Sequence, residues 1–192
     1  MKVQMKFQKI LATCSLIISA ITIVGAIIFM SDNLANIMYY MEDDLAKEFC
    51  ASAQSFVNTM FVLTIIYLCT VVVYYFTDSN KRRNYYITNY IATGLVIAGA
   101  LVVAVYGIIF TSVLLGTFYG IDWEEFQNSI DFAILMGGPD VSKAPTMFII
   151  SYVTSILALA DAVAIALNLV WKIKLMNGEK ALLEKGLVKE VA

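Results

Sequence analysis

Histidine is absent from this 192-residue chain, and its absence removes several kinds of catalytic and metal site. A Ser-His-Asp triad, a histidine-containing zinc site and bis-histidine haem ligation all require an imidazole ring. The sequence also lacks the GxxxxGK[ST] phosphate-binding loop, so we do not expect this chain to hydrolyse ATP. The three cysteines, Cys14, Cys50 and Cys69, form no CxxC pair. These absences predict a protein that is not an enzyme and has no cofactor or metal.

Charged residues are also scarce, at 15% of the chain, while hydrophobic residues make up 60%. Soluble proteins typically contain about 25% and 45–50% of these classes. No charge occurs in Ile10–Ser31, Phe49–Thr77 or Asn84–Ile121, and a fourth apolar run, Met147–Trp171, contains only Asp161. A helix needs about 20 apolar residues to cross the hydrocarbon of a bilayer, so each run is long enough.

The runs predict an all-α membrane protein whose 192 residues form a single membrane domain, a tetraspan up-down-up-down four-helix bundle. The helices are expected at about Ile10–Met30, Phe56–Phe76, Tyr86–Phe110 and Met147–Trp171. The first is longer than the 7–15 apolar residues of a signal peptide, so we expect it to be retained. Asn177-Gly178 predicts the end of the fourth helix. The rest is expected to form extracytoplasmic loops at 31–55 and 111–146 and a cytoplasmic tail at 172–192.

The basic residues are concentrated on one side of this predicted topology. The N-terminus, the loop at 77–85 and the C-terminal tail hold 11 of the 13 lysines and arginines. Because such residues favour the cytoplasmic face, both termini are expected there, in a multi-pass protein of a cell membrane. In the short loop, Lys81, Arg82 and Arg83 are candidate contacts for anionic headgroups, or only anchors that fix the topology.

The two longer loops contain apolar residues at three- and four-residue steps, which predicts helices outside the membrane. These residues are Leu34, Ile37, Met38, Met41 and Leu45 in the first loop and Trp123, Phe126, Ile130 and Ile134 in the second. The loop helices are expected either to pack on each other or to lie in the membrane interface.

Asp161 is the most costly residue of the predicted spans, since an aspartate near the centre of a membrane helix costs roughly 2.5–3.5 kcal/mol. Thr154 and Asn168 lie seven residues to either side of it, on the same helix face. Ser15, Ser19 and Thr22 share a face of the first helix, and counting helical rise places Ser19, Tyr67 and Asp161 at similar depth. The predicted intramembrane polar site consists of Asp161, Thr154, Asn168, Ser19 and Tyr67.

Three interpretations of Asp161 remain open at this point. Asp161 is a neutral acid hydrogen-bonded to Ser19, Tyr67 or a backbone carbonyl, or it is a cation or proton site on a hydrated path. In the third interpretation it pairs with a basic residue in a membrane helix of another subunit.

Small residues four positions apart are candidates for close helix packing. Gly94 with Ala98 and Gly116 with Gly120 form two such pairs on the predicted third helix and its extension.

Two functions are compatible with these features. The first is a non-enzymatic binding or scaffold protein, such as an accessory subunit of a membrane complex. The alternative is a small oligomeric cation or proton transporter or channel that uses Asp161. The expected partners are the lipid bilayer and either further copies of this chain or another membrane protein, and no nucleic acid.

Overall fold

The computed structural model describes residues 2–31, 44–77, 87–122 and 144–184, and this part of the chain is almost entirely helical. The four helices are α1 (Lys2–Ser31), α2 (Asp44–Thr77), α3 (Ile87–Tyr119) and α4 (Ala144–Glu184). Each of them is long enough and apolar enough to cross a membrane. The prediction of four helices of membrane-spanning length is therefore confirmed.

All four helices are longer than the membrane spans predicted from the sequence. At about 1.5 Å per residue, the 41 residues of α4 extend about 60 Å, twice the thickness of bilayer hydrocarbon. α4 continues through Asn177 and Gly178, so the predicted helix end there is wrong. A glycine inside a helix costs only about 1 kcal/mol relative to alanine, and Leu175, Met176 and Lys180 around it favour helix.

Several predicted features fall outside the described residues. They are the apolar positions of the two longer loops apart from Leu45, and the proposed headgroup contacts Lys81, Arg82 and Arg83. Leu45 belongs to α2, which begins at Asp44, inside the segment predicted as the first loop.

Each helix packs against two others, since α1 and α3 both contact α2 and α4. Gln4 near the start of α1 contacts Asn168 in the last half of α4, and Phe29 near the end of α1 contacts Phe148 near the start of α4. α1 and α4 are therefore antiparallel, and side-chain contacts show the same for α2 and α3. We call the end of the bundle that contains Gln4 the termini end and the opposite end the loop end.

Large apolar side chains cover the outside of the bundle, as expected for helices surrounded by lipid. Ile10, Val62, Leu95 and Leu167 are all more than half exposed. Inside the loop end, five phenylalanine rings pack with neighbouring centroids 5.4–6.5 Å apart. This phenylalanine cluster consists of Phe29, Phe49, Phe56, Phe118 and Phe148.

Two glycines allow helices to approach each other closely. A Cβ added to Gly25 of α1 would lie 2.6 Å from Thr154 Cγ2, and one added to Gly107 of α3 would overlap Ser155 Oγ. Real Cβ atoms do not approach other atoms so closely, so a side chain at either position would force Thr154 or Ser155 to move.

The small residues singled out in the sequence lie elsewhere. Gly94, Ala98, Gly116 and Gly120 are all exposed. An added Cβ at Gly94 or Gly116 would meet no atom within 4 Å among the described residues, and one at Gly120 would lie 3.8 Å from the Leu45 side chain. Close packing inside this bundle thus involves different small residues from those predicted.

Candidate functional site

Asp161 lies in the interior of the bundle, with 2% of its surface exposed. The Tyr67 hydroxyl of α2 donates a hydrogen bond to Asp161 Oδ2 at 2.5 Å. The Ser15 hydroxyl of α1 donates to Asp161 Oδ1 at 2.7 Å. The carboxyl group therefore joins three helices, and each of its oxygens accepts a bond from a hydroxyl.

Small residues leave room for this contact. On α4, the buried residue Ala158 lies one turn before Asp161 on nearly the same face. On α3, an added Cβ at Gly99 would lie 3.5 Å from Tyr67 Cδ2 and 3.6 Å from its Cα, so α2 and α3 are in close contact beside Tyr67. The Tyr67 ring, which is completely buried, can then reach Asp161.

Ser15 has two possible acceptors for one proton. Its oxygen lies 2.7 Å from Asp161 Oδ1 and 3.0 Å from the Leu11 carbonyl oxygen. When the carboxyl is ionised, Ser15 can donate to it. When Oδ1 carries a proton, Asp161 can donate to Ser15, and Ser15 can donate to Leu11. Both protonation states are thus hydrogen-bonded without a change in the positions of the heavy atoms.

The other predicted site residues are buried but do not bond to Asp161. Ser19 donates to the Leu16 carbonyl at 2.9 Å, and Thr154 donates to the Ser151 carbonyl at 3.0 Å. Asn168 accepts a bond of 3.1 Å from Gln4 Nε2. Of the predicted site residues, the structure brings only Tyr67 into direct contact with Asp161.

At the termini end, Asn89 of α3 is bonded to all three other helices. Its Oδ1 accepts from Gln8 Nε2 of α1 at 3.1 Å and from Lys172 Nζ of α4. Its Nδ2 donates to Thr77 Oγ1 of α2 at 3.0 Å. Lys172 is 1% exposed, and its Nζ lies 4.3 Å from the centre of the Tyr90 ring. Lys172, the first residue of the tail predicted from the sequence, belongs to α4 and lies inside the bundle.

The side-chain amides of Gln4 and Asn168 extend this group of hydrogen-bonded residues to the face of α4 that carries Asp161. Gln4 Nε2 donates to Gln8 Oε1 at 2.9 Å and to Asn168 Oδ1 at 3.1 Å. The second polar atom of Asn168, its Nδ2, is buried without a hydrogen-bond partner among the described residues. We call Gln4, Gln8, Asn89, Asn168 and Lys172 the amide cluster.

Sequence reasoning missed most of the amide cluster because Gln4 and Gln8 precede the apolar run and Lys172 follows it. A spacing signal was present, since Gln4, Gln8, Ser15 and Ser19 recur on one face of α1. Extending the polar face beyond the apolar run would have identified both glutamines.

Asp161 and Lys172 are the two charged residues that are buried in the described part of the chain. They lie on one face of α4, about 16 Å apart along the helix. The described residues contain no group of three or more histidine, cysteine or acidic side chains that could hold a metal ion.

Comparisons with protein-family models, with curated proteins and with solved structures found no significant match to this chain. The function is therefore argued from the geometry of the polar interior.

Proposed function

We propose that this protein is a small membrane transport protein in which Asp161 binds and releases a proton. The observation that carries the proposal is the position of Ser15 between the Asp161 carboxyl and the Leu11 carbonyl. A buried polar group left without a partner costs about 1–3 kcal/mol. Because Ser15 can reverse its hydrogen bond, neither gain nor loss of the proton leaves such a group.

The position of Asp161 also supports transport more than assembly. An acid that pairs with a basic residue of another subunit must be accessible on the outer surface of the bundle. The Asp161 side chain is buried and faces α1 and α2. Polar residues continue from it towards both ends, through Asn168 to the amide cluster and through Thr154 towards the loop end.

We infer further that the bundle crosses the membrane with both termini in the cytoplasm. The inference rests on the bias of lysine and arginine towards the termini and the short loop, which sets the orientation of membrane proteins. Lys6, Lys9 and Lys174 are exposed at the termini end, where cytoplasmic anchors would lie.

The test is proton flux into liposomes that contain the purified protein, measured with an internal pH-sensitive dye under an imposed potential. Asp161→Asn keeps the shape of the side chain but cannot exchange a proton at neutral pH. We expect wild-type flux well above that of protein-free liposomes, and flux at the protein-free level for Asp161→Asn.

Thr70→Val is the matched control for this experiment. Thr70 is a partly buried residue of α2 that donates to the Tyr67 carbonyl and packs near Gly99. Its substitution should leave flux intact. Equal flux in wild type and Asp161→Asn, or no flux in wild type, would contradict the proposal. A stable partner in the second case would favour the scaffold or accessory-subunit function.

A further inference from the structure

A partly enclosed cavity lies between α1, α2 and α4, on the loop-end side of Asp161. The space inside it that the centre of a water molecule can occupy is about 10 Å³, which is room for roughly one water. Three hydroxyl-bearing residues line it, Thr22, Ser151 and Thr154, together with Met60 and two rings of the phenylalanine cluster. An apolar cavity stays dry, whereas a cavity with several polar groups can hold ordered water.

The two threonine hydroxyls of this cavity are available as hydrogen-bond acceptors, whereas the Ser151 hydroxyl is bonded to Thr111 Oγ1 at 2.7 Å. Thr22 donates its proton to the Ser19 carbonyl at 2.7 Å, and Thr154 donates to the Ser151 carbonyl at 3.0 Å. A hydroxyl has one proton and two lone pairs, so both threonine oxygens can still accept. The molecule that fits this lining is a hydrogen-bond donor of about the size of water.

The α1 hydroxyls continue from the cavity to Asp161. Ser19 lies between Thr22 and Ser15, and its proton is bonded to the Leu16 carbonyl. The successive steps along the helix axis are about 4.5 and 6 Å, which is too long for a direct bond between hydroxyls. One bridging water can span the first gap, whereas the second gap requires two waters in series.

We propose that the cavity holds ordered water and that this water exchanges protons between the loop end and Asp161. This inference rests on the proposed function. In each transfer, a water or serine oxygen accepts a proton from the neighbour on its loop-end side and releases its own proton to the neighbour on the Asp161 side. The Asp161 carboxylate takes the last proton, and Ser15 and Ser19 end with the protons they began with.

The first test measures hydration directly by X-ray hydroxyl-radical footprinting of the full-length protein in detergent. Met60 lines the cavity but is 4% exposed, so bulk solvent reaches it poorly. We expect rapid oxidation of Met60 in wild type. The double variant Thr22→Val, Thr154→Val keeps the side-chain shapes and removes both acceptors, and it should lower the rate by about threefold. Thr70→Val, which does not line the cavity, should not change it.

The second test applies the liposome assay to the same variants. With Asp161 present, the double variant should lower proton flux by about tenfold, which corresponds to about 1.4 kcal/mol in the barrier. Unchanged Met60 oxidation and unchanged flux in this variant would overturn the inference, while flux lost in Asp161→Asn would leave the proposed function standing. Absence of flux in every variant would reject the transport role, and Met60 oxidation would then report hydration alone.

Discussion

The Asp161 side chain is stabilised in the bundle by two hydroxyl groups from other helices. Placing an aspartate near the centre of a membrane helix costs roughly 2.5–3.5 kcal/mol. Hydrogen bonds to charged groups contribute about 1.5–3 kcal/mol each, so Ser15 and Tyr67 together can offset this cost. The same bonds tie α4 to α1 and α2.

Tyr67→Phe tests whether the Tyr67 hydroxyl stabilises the bundle through its bond to Asp161. It removes the phenolic oxygen, keeps the ring and leaves Asp161 Oδ2 without its donor. We expect the free energy of unfolding to fall by about 1–3 kcal/mol. The measurement is unfolding in mixed micelles by increasing dodecyl sulfate, followed by circular dichroism.

Tyr75→Phe is the control for that variant. Tyr75 is on the same helix and is 39% exposed, so loss of its hydroxyl should have little effect. Identical unfolding midpoints for the two variants would show that the bond between Tyr67 and Asp161 adds no stability.

The contact between Asp161 and Tyr67 could be expected from the sequence, but the contact with Ser15 could not. The depth of a residue in the membrane follows from its distance to the predicted end of its helix. Ser15 and Ser19 are about one turn apart, so an error of one turn in the end of α1 exchanges them as partners of Asp161. α1 begins at Lys2 instead of Ile10, which is more than two turns earlier. Hydropathy marks the apolar part of a membrane helix but not where the helix ends beyond that part. The depth of α1 relative to α4 therefore could not be predicted from the sequence.

At the level of helices, the separation of α3 and α4 depends on Gly107. Ser155 occupies the space that a side chain on Gly107 would need. Overpacking of a well-packed core typically costs about 1–3 kcal/mol.

Gly107→Ala is therefore expected to lower the free energy of unfolding by about 1–3 kcal/mol, measured as for Tyr67→Phe. Gly94→Ala is the control, because its added methyl group meets nothing within 4 Å in the described structure. It should leave stability unchanged or raise it by up to about 1 kcal/mol through helix propensity. Combining Gly107→Ala with Ser155→Gly should restore stability, and failure to restore it would show that Ser155 is not the obstacle.

The sequence does not readily show which glycines of α3 face inward. In a soluble helix the apolar face marks the core, but a membrane helix is apolar on both its lipid-facing and its buried sides. The polar residues of α3 show instead which of its faces points into the bundle. Gly107 lies 18 residues, or five full turns, after Asn89 and therefore shares its face, whereas Gly94 does not.

The bundle formed by the described residues has apolar side chains outside and a line of polar side chains inside. The amide cluster connects all four helices at the termini end, and the phenylalanine cluster packs the loop end. The number of helices was predictable because charge-free runs of this length are typical only of membrane spans. The interior polar line was only partly predictable, since several of its members lie beyond the apolar runs.

The proposed orientation makes a prediction for the intact protein. In a variant with Cys14, Cys50 and Cys69 replaced, a single cysteine is introduced at Asp44 or at Lys180, both of which are exposed. Intact cells are treated with a membrane-impermeant maleimide. Asp44→Cys should react from outside, and Lys180→Cys should react only after the membrane is permeabilised. The reverse pattern would place the termini outside.

The order of the helices along the chain has a consequence for biosynthesis. Asp161 belongs to the last helix, and its two partners belong to the first and second. Since a chain is made from its N-terminus, Ser15 and Tyr67 are already in the membrane when the ribosome completes α4. The acid that is hardest to insert thus arrives after both of its hydrogen-bond donors, and its insertion becomes a step of assembly with helices that precede it.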